Sequence, residues 1–158
     1  LVVSVIPLPK DGAITDLDLM LALDLPTGSI SQRTLLFTIR RTIPDTSLSM
    51  REFSSDLIEL AHRNCRYMAH AGQLGSFDED FRQQKVTEIF GPQAELKQLL
   101  YATEAEATIH DAALQAVESW IESPESFDVL NGPAQAMGMD MFQAPESGRW
   151  YVTCFVVR

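Results

Sequence analysis

The stretch MGMDMFQAPESGRWYVTCFVVR, residues 137–158, decides the fold. Met137, Met139 and Met141 alternate with Gly138, Asp140 and Phe142, which is the period of a strand. Ala144-Pro145-Glu146-Ser147-Gly148 carries turn chemistry, and residues 149–158 follow as a second strand rich in aromatic and β-branched residues. The two make an antiparallel hairpin. At period two, the methionines belong to a core; the alternative is an adaptable apolar groove for a lipid or peptide.

Upstream of the hairpin the pattern is helical. Phe53, Leu57, Leu60, Cys65 and Met68 recur near helical spacing, with Ser49 and Glu52 as a capping box and Gly72 as a stop, so a helix is expected over about 50–71. Ile109, Ala113, Ala116 and Trp120 form the stripe of another helix over about 108–122, ended by Pro124. Shorter helices are expected at 31–41, at 76–81 and from Gly91-Pro92 to about 102. Helices segregated from strands give an α+β class.

Residues 1–30 differ from the rest. A β-branched apolar run over 1–6 stops at Pro7 and Pro9. Leu17, Leu19, Leu21, Leu23 and Leu25 then alternate with other residues before the turn Pro26-Thr27-Gly28. The expected organisation is a strand-containing extension, 1–30, packed on a single domain, 31–158.

Composition narrows the function classes. The 158 residues carry 22 acidic and 12 basic side chains, a formal net charge of −10. The basic clusters are short (Arg40-Arg41; Arg63 with Arg66), which argues against a nucleic-acid or anionic-membrane partner. The acidity reads as solubility. No apolar run reaches the length of a membrane-spanning helix. The chain opens on Leu1, as a mature product would after loss of a signal peptide, and as a chain cut elsewhere would too. Cys65 and Cys154 lack metal-ligand or redox-motif spacing; they read as buried free thiols, with one disulfide as the alternative.

The order of these pieces resembles the CAP superfamily, the cysteine-rich secretory, antigen 5 and pathogenesis-related 1 group, in a divergent bacterial-type form. Leu35-Leu36-Phe37-Thr38-Ile39 is similar to that family's first helix, and Leu57, Ala61 and Tyr67-Met68-Ala69 to the next. Val86-Thr87-Glu88-Ile89 resembles a weakened Gly-Glu-Asn-Ile stretch. Residues 112–120 with Ser123-Pro124 resemble the Trp-x-x-Ser-Pro-x-His segment, and Trp150-Tyr151-Val152-Thr153 the closing strand. The resemblance covers about 33–158 and implies a three-layer α-β-α sandwich with a central antiparallel sheet, together with an extracellular or periplasmic location.

It also implies a cleft of two histidines and two acidic residues able to hold a divalent metal. Here the histidine positions fall at Ser76 and Ser126, with Glu88 as a surviving acid and Glu122 off register. Ser76, Glu88, Glu122 and Ser126 are therefore the candidate cleft, with no imidazole to hold zinc. No cofactor is implied. The chain's histidines, His62, His70 and His110, have bland readings: His62 and His70 lie too far apart on one helix to chelate directly, and His110 sits in a first turn. No nucleophile elbow or phosphate-cradling loop is present. The expectation is a non-enzymatic binding or interaction domain with a degenerate cleft, taking a protein or small apolar ligand. The alternatives are a carrier of sterol or fatty acid, and a hydrolase using Glu88, Glu122 or His110.

Overall fold

A computed structural model describes residues 28–43 and 52–158. The strands expected over 1–6 and 17–25, and Ser49 and Pro44, lie outside the described residues. The elements are α1 (Ile30–Thr42), β1 (Glu52–Phe53), α2 (Ser55–Ala71), α3 (Glu79–Phe90), β2 (Leu96–Ala102), α4 (Ile109–Glu122), α5 (Pro124–Asn131), β3 (Ala136–Gln143) and β4 (Trp150–Val157). The sheet runs β1-β3-β4-β2, with β3-β4 and β4-β2 antiparallel and the two-residue β1 parallel to the start of β3.

The fold is an α+β sandwich of three layers. On one face α1, α4 and α5 bring Leu35, Ile39, Ala113, Trp120 and Leu130 against Met137, Met139, Met141, Val152 and Val156. On the other, α2 and α3 bring Leu57, Leu60, Ala61 and Val86 against Ala136, Phe155 and Val157. A smaller cluster of Met68, Ala144 and Tyr151 sits under the C-terminal half of α2. Because both faces are covered, β4 is apolar on both sides, and its last seven residues are buried. Met137, Met139 and Met141 are core, not a groove.

Helix α2 lies very close to β3. A Cβ on Gly138 would fall about 2.5 Å from the backbone carbon and the Cβ of Leu57, so only glycine permits this approach. Gly72 ends α2 in the left-handed conformation (φ 69°), as expected.

Several expectations need correction. Helix α2 starts at Ser55, capped by Ser54, because Glu52–Phe53 is taken into the sheet beside Ala136 and Met137. The helix placed over 91–102 is instead the strand β2, paired along its full length with β4. The short helix at 76–81 is α3, capped by Asp78 and reaching Phe90. Pro124 does not merely stop α4; as the first residue of α5 it starts another helix, where its missing N–H is no loss. As expected, Cys65 and Cys154 are both free and buried. Cys154 belongs to the core on the α1/α4/α5 side. Cys65 comes from α2 on the other side, its thiol donating to the Asp140 carbonyl at 3.2 Å. The sheet separates them.

Candidate functional site

The four residues proposed from sequence do not form one cleft. Ser76 and Glu88 belong to the α2/α3 side, while Glu122 and Ser126 lie on α4 and α5 across the sheet. Ser76 Oγ donates to Gln98 Oε1 at 2.8 Å, and that oxygen also takes the Arg82 guanidinium at 2.7 Å. Glu88 is exposed, and hydrogen bonds from Lys85 and Gln84 hold its carboxyl below the usual carboxylate range, which suits it poorly to proton transfer. Glu122 is an exposed residue at the end of α4. The Ser126 backbone N–H donates to the Ser123 cap of α5. His110 lies in the first turn of α4, with Nδ1 buried and without a hydrogen bond.

The polar site lies elsewhere, at the edge of β3. Beyond Met137 the short β1 no longer covers that edge. There Asp140 points a carboxylate, only 2% exposed, into the junction of α1, α2 and β3. Four donors converge on it. The Met141 backbone N–H donates to Oδ1 at 2.8 Å, and so does Ser31 Oγ at 2.8 Å. Gln32 Nε2 donates to Oδ2 at 3.3 Å, and His62 Nδ1 meets Oδ2 at 2.7 Å.

Local sequence places each donor. Ser29 and Gln32 form a reciprocal capping box at the start of α1: Ser29 Oγ accepts the Gln32 N–H at 3.2 Å, and Gln32 Oε1 accepts the Ser29 N–H at 3.0 Å. The box holds the Gln32 amide with its nitrogen toward Asp140, while Ser31 sits between its two members. The spacing of α2 puts Ile58 and His62 four residues apart on the face beside the cleft. Asp140 leaves the strand between Met139 and Met141, on the opposite face from them.

The imidazole of His62 is held on two sides, by Asp140 and by Phe142. A carboxylate acceptor requires the proton on Nδ1, which leaves Nε2 without a hydrogen-bond partner among the described residues. The Phe142 ring stands edge-on to it, with centroids 6.3 Å apart and planes at 82°. The side chain is 43% exposed, and it opens on a cleft of about 450 Å³ that also meets Ser29, Ser31, Ser55, Ile58 and Phe142. Phe142 also borders a second cleft of about 550 Å³, between the end of α2 and the β3–β4 hairpin, where Arg66 lies 5.9 Å from its ring centre.

Chemically, this arrangement presents one oriented acceptor nitrogen beside hydroxyls and an aromatic ring. No hydroxyl among the described residues bonds to the imidazole: Ser31 donates to the carboxylate instead. Among the described residues no cluster of three or more His, Cys, Asp or Glu side chains is placed to hold a metal ion. Sequence reasoning missed the pair because its members are 78 positions apart. One signal was present. In a strand covered on both faces, a carboxylate is buried and needs donors.

No family model matches the chain, and neither does any curated protein. Among solved structures it is similar to an outer surface protein from Borrelia burgdorferi, at 14% identity and a TM-score of 0.58, over 77% of this chain and 88% of that one. At that identity the likeness concerns the fold.

Proposed function

We propose that the chain is a binding or interaction domain on a CAP-like scaffold, working outside the cytoplasm or at a cell surface, with its ligand in the cleft at His62 and Asp140. The observation that carries this reading is the Ser31 hydroxyl donating to Asp140 instead of to His62. Among the described residues the cleft therefore lacks the nucleophile-to-base hydrogen bond of acyl-transfer enzymes. It keeps a fixed nitrogen acceptor, hydroxyls and an aromatic edge, the few convergent polar groups on an apolar lining that ligand sites use.

A surface location draws its support from the fold shared with an outer surface protein. Among the described residues no helix is long and apolar enough to cross a membrane. Lipid carriage has less support. The methionines are core, and the apolar cavity between Leu36, Phe53, Ile58 and Met139 has only about 20 Å³, room for a single water.

The test combines native mass spectrometry of the protein isolated from its own source with calorimetric titration of zinc chloride. The expected outcome is a retained adduct that the H62Q variant loses. Micromolar zinc binding that disappears in H62Q would replace this reading with a metal site.

A further inference from the structure

We propose that His62 and Asp140 form a general-base dyad that activates water for hydrolysis of small aryl esters held in the cleft between α1, α2 and β3. The inference rests on the reading of that cleft as a ligand site and adds a chemical step to it. Elsewhere the ionisable groups lack this geometry. Among the described residues, His70 is exposed with no polar partner, the His110 Nδ1 has no hydrogen bond, and Glu88 is tied to Lys85 and Gln84.

Three features carry it. Asp140 is 2% exposed and meets Nδ1 at 2.7 Å, so the imidazole is oriented with Nε2 presenting its lone pair. The remaining donors, from Ser31, Gln32 and Met141, fix the carboxylate itself. His62 lines a cleft of about 450 Å³ together with Ile58 and Phe142, whose apolar groups suit an acyl or aryl group.

In the step, the oxygen of water forms a bond to the ester carbonyl carbon while its proton passes to His62 Nε2. The carbonyl π pair moves onto oxygen, and the imidazolium is balanced by Asp140. Collapse re-forms the carbonyl and breaks the bond to the phenolate, which takes the proton back from Nε2. Ester and water become acid and phenol, and the dyad is unchanged. His62 is the catalytic residue; Asp140 is a positioning residue.

General-base action alone supplies on the order of 10²–10⁴-fold. With no side-chain nucleophile bonded to the imidazole among the described residues, that suffices for esters with good leaving groups and not for amides. This sets the substrate class.

The experiment follows nitrophenolate release from 4-nitrophenyl butyrate by the full chain and by H62Q, D140N and H110Q. H62Q, at a half-exposed position, is expected to lose at least ~10-fold in kcat/KM, in line with the loss of a general base. D140N is expected to lower kcat with KM unchanged, and H110Q, across the sheet, to leave both unchanged. Activity in H62Q equal to that of the parent overturns the proposal, as does a folded D140N that keeps its kcat. In parallel, N-(4-nitrophenyl)butanamide is titrated while the backbone amides of 62 and 140–142 are followed by NMR. Saturable shifts there without His62-dependent turnover refute the dyad and leave the ligand site standing. Neither shifts nor turnover removes both.

Discussion

Replacing Asp140 with alanine tests whether the carboxylate holds three elements together. Four donors lose their acceptor. Three of them belong to side chains at the open cleft, Ser31, Gln32 and His62, and water replaces the carboxylate for them. Each then costs about 0.5 kcal/mol, the low end for an exchanged hydrogen bond. The Met141 N–H is different, because that residue is buried and its donor is stranded at about 1–3 kcal/mol. The sum is about 2.5–4.5 kcal/mol. For a chain of this size that lowers Tm by about 5–18 °C. H62A removes one half-exposed donor and should cost about 1 kcal/mol or less. Urea unfolding of both variants measures the difference. D140A should also self-associate, because an inward-pointing charge is one way a sheet edge is kept from pairing with another. Analytical ultracentrifugation reads that directly. If D140A loses under 1 kcal/mol, or no more than H62A does, the carboxylate is not what ties α1 and α2 to β3.

Three further outcomes follow from the packing. Burial pushes the Cys65 thiol up, so the folded state holds its proton where the unfolded state releases it. That contribution is complete below the ordinary thiol pKa of about 8.5 and is lost as pH rises above it; C65A should flatten the alkaline fall of stability in urea melts, and an unaltered slope would contradict this. G138A forces a methyl into the backbone of α2 and should cost about 3 kcal/mol, the upper part of the overpacking range, with a Tm drop as the measure. Arg82 is 3% exposed, donates to the Phe77 carbonyl and to Gln98, and lies over the Phe77 and Phe155 rings. R82K should therefore lose nearly as much stability as R82A, since an ammonium cannot reproduce the planar fork; rescue by lysine would refute that.

The elements legible in the sequence were those whose burial pattern is local. The stripe of Leu57, Leu60, Ala61 and Met68, the Ala113-Ala116-Trp120 stripe, and the β3–β4 hairpin each carry their period within one segment. β2 was illegible for the opposite reason. Leu96-Lys97-Gln98-Leu99-Leu100-Tyr101-Ala102 is made largely of helix-favouring residues without alternation. Its state is set by a partner strand about fifty positions later, where Leu99 meets Cys154 and Leu100 meets Thr153. Helix α5 was hidden because Pro124 reads equally as a stop and as a start. The candidate cleft failed on topology: helices α2/α3 and α4/α5 bring their polar residues to opposite faces, so order along the chain did not become proximity.

The site that did form follows from the same topology. Among the described residues β1 pairs with only two residues of β3, which leaves the middle of that strand at an edge between two helical layers. An edge strand there has an N–H at Met141 that needs an acceptor, and Asp140 supplies one from the neighbouring residue. A carboxylate buried for that purpose needs further donors, and the nearest ends of α1 and α2 provide Ser31, Gln32 and His62. The imidazole is thus oriented as a by-product of protecting the sheet edge. This separates stability from chemistry at one residue. H62Q should leave the edge protected through Ser31, Gln32 and the Met141 amide while removing whatever Nε2 does in the cleft. In H62Q the fold should persist while ligand binding is lost.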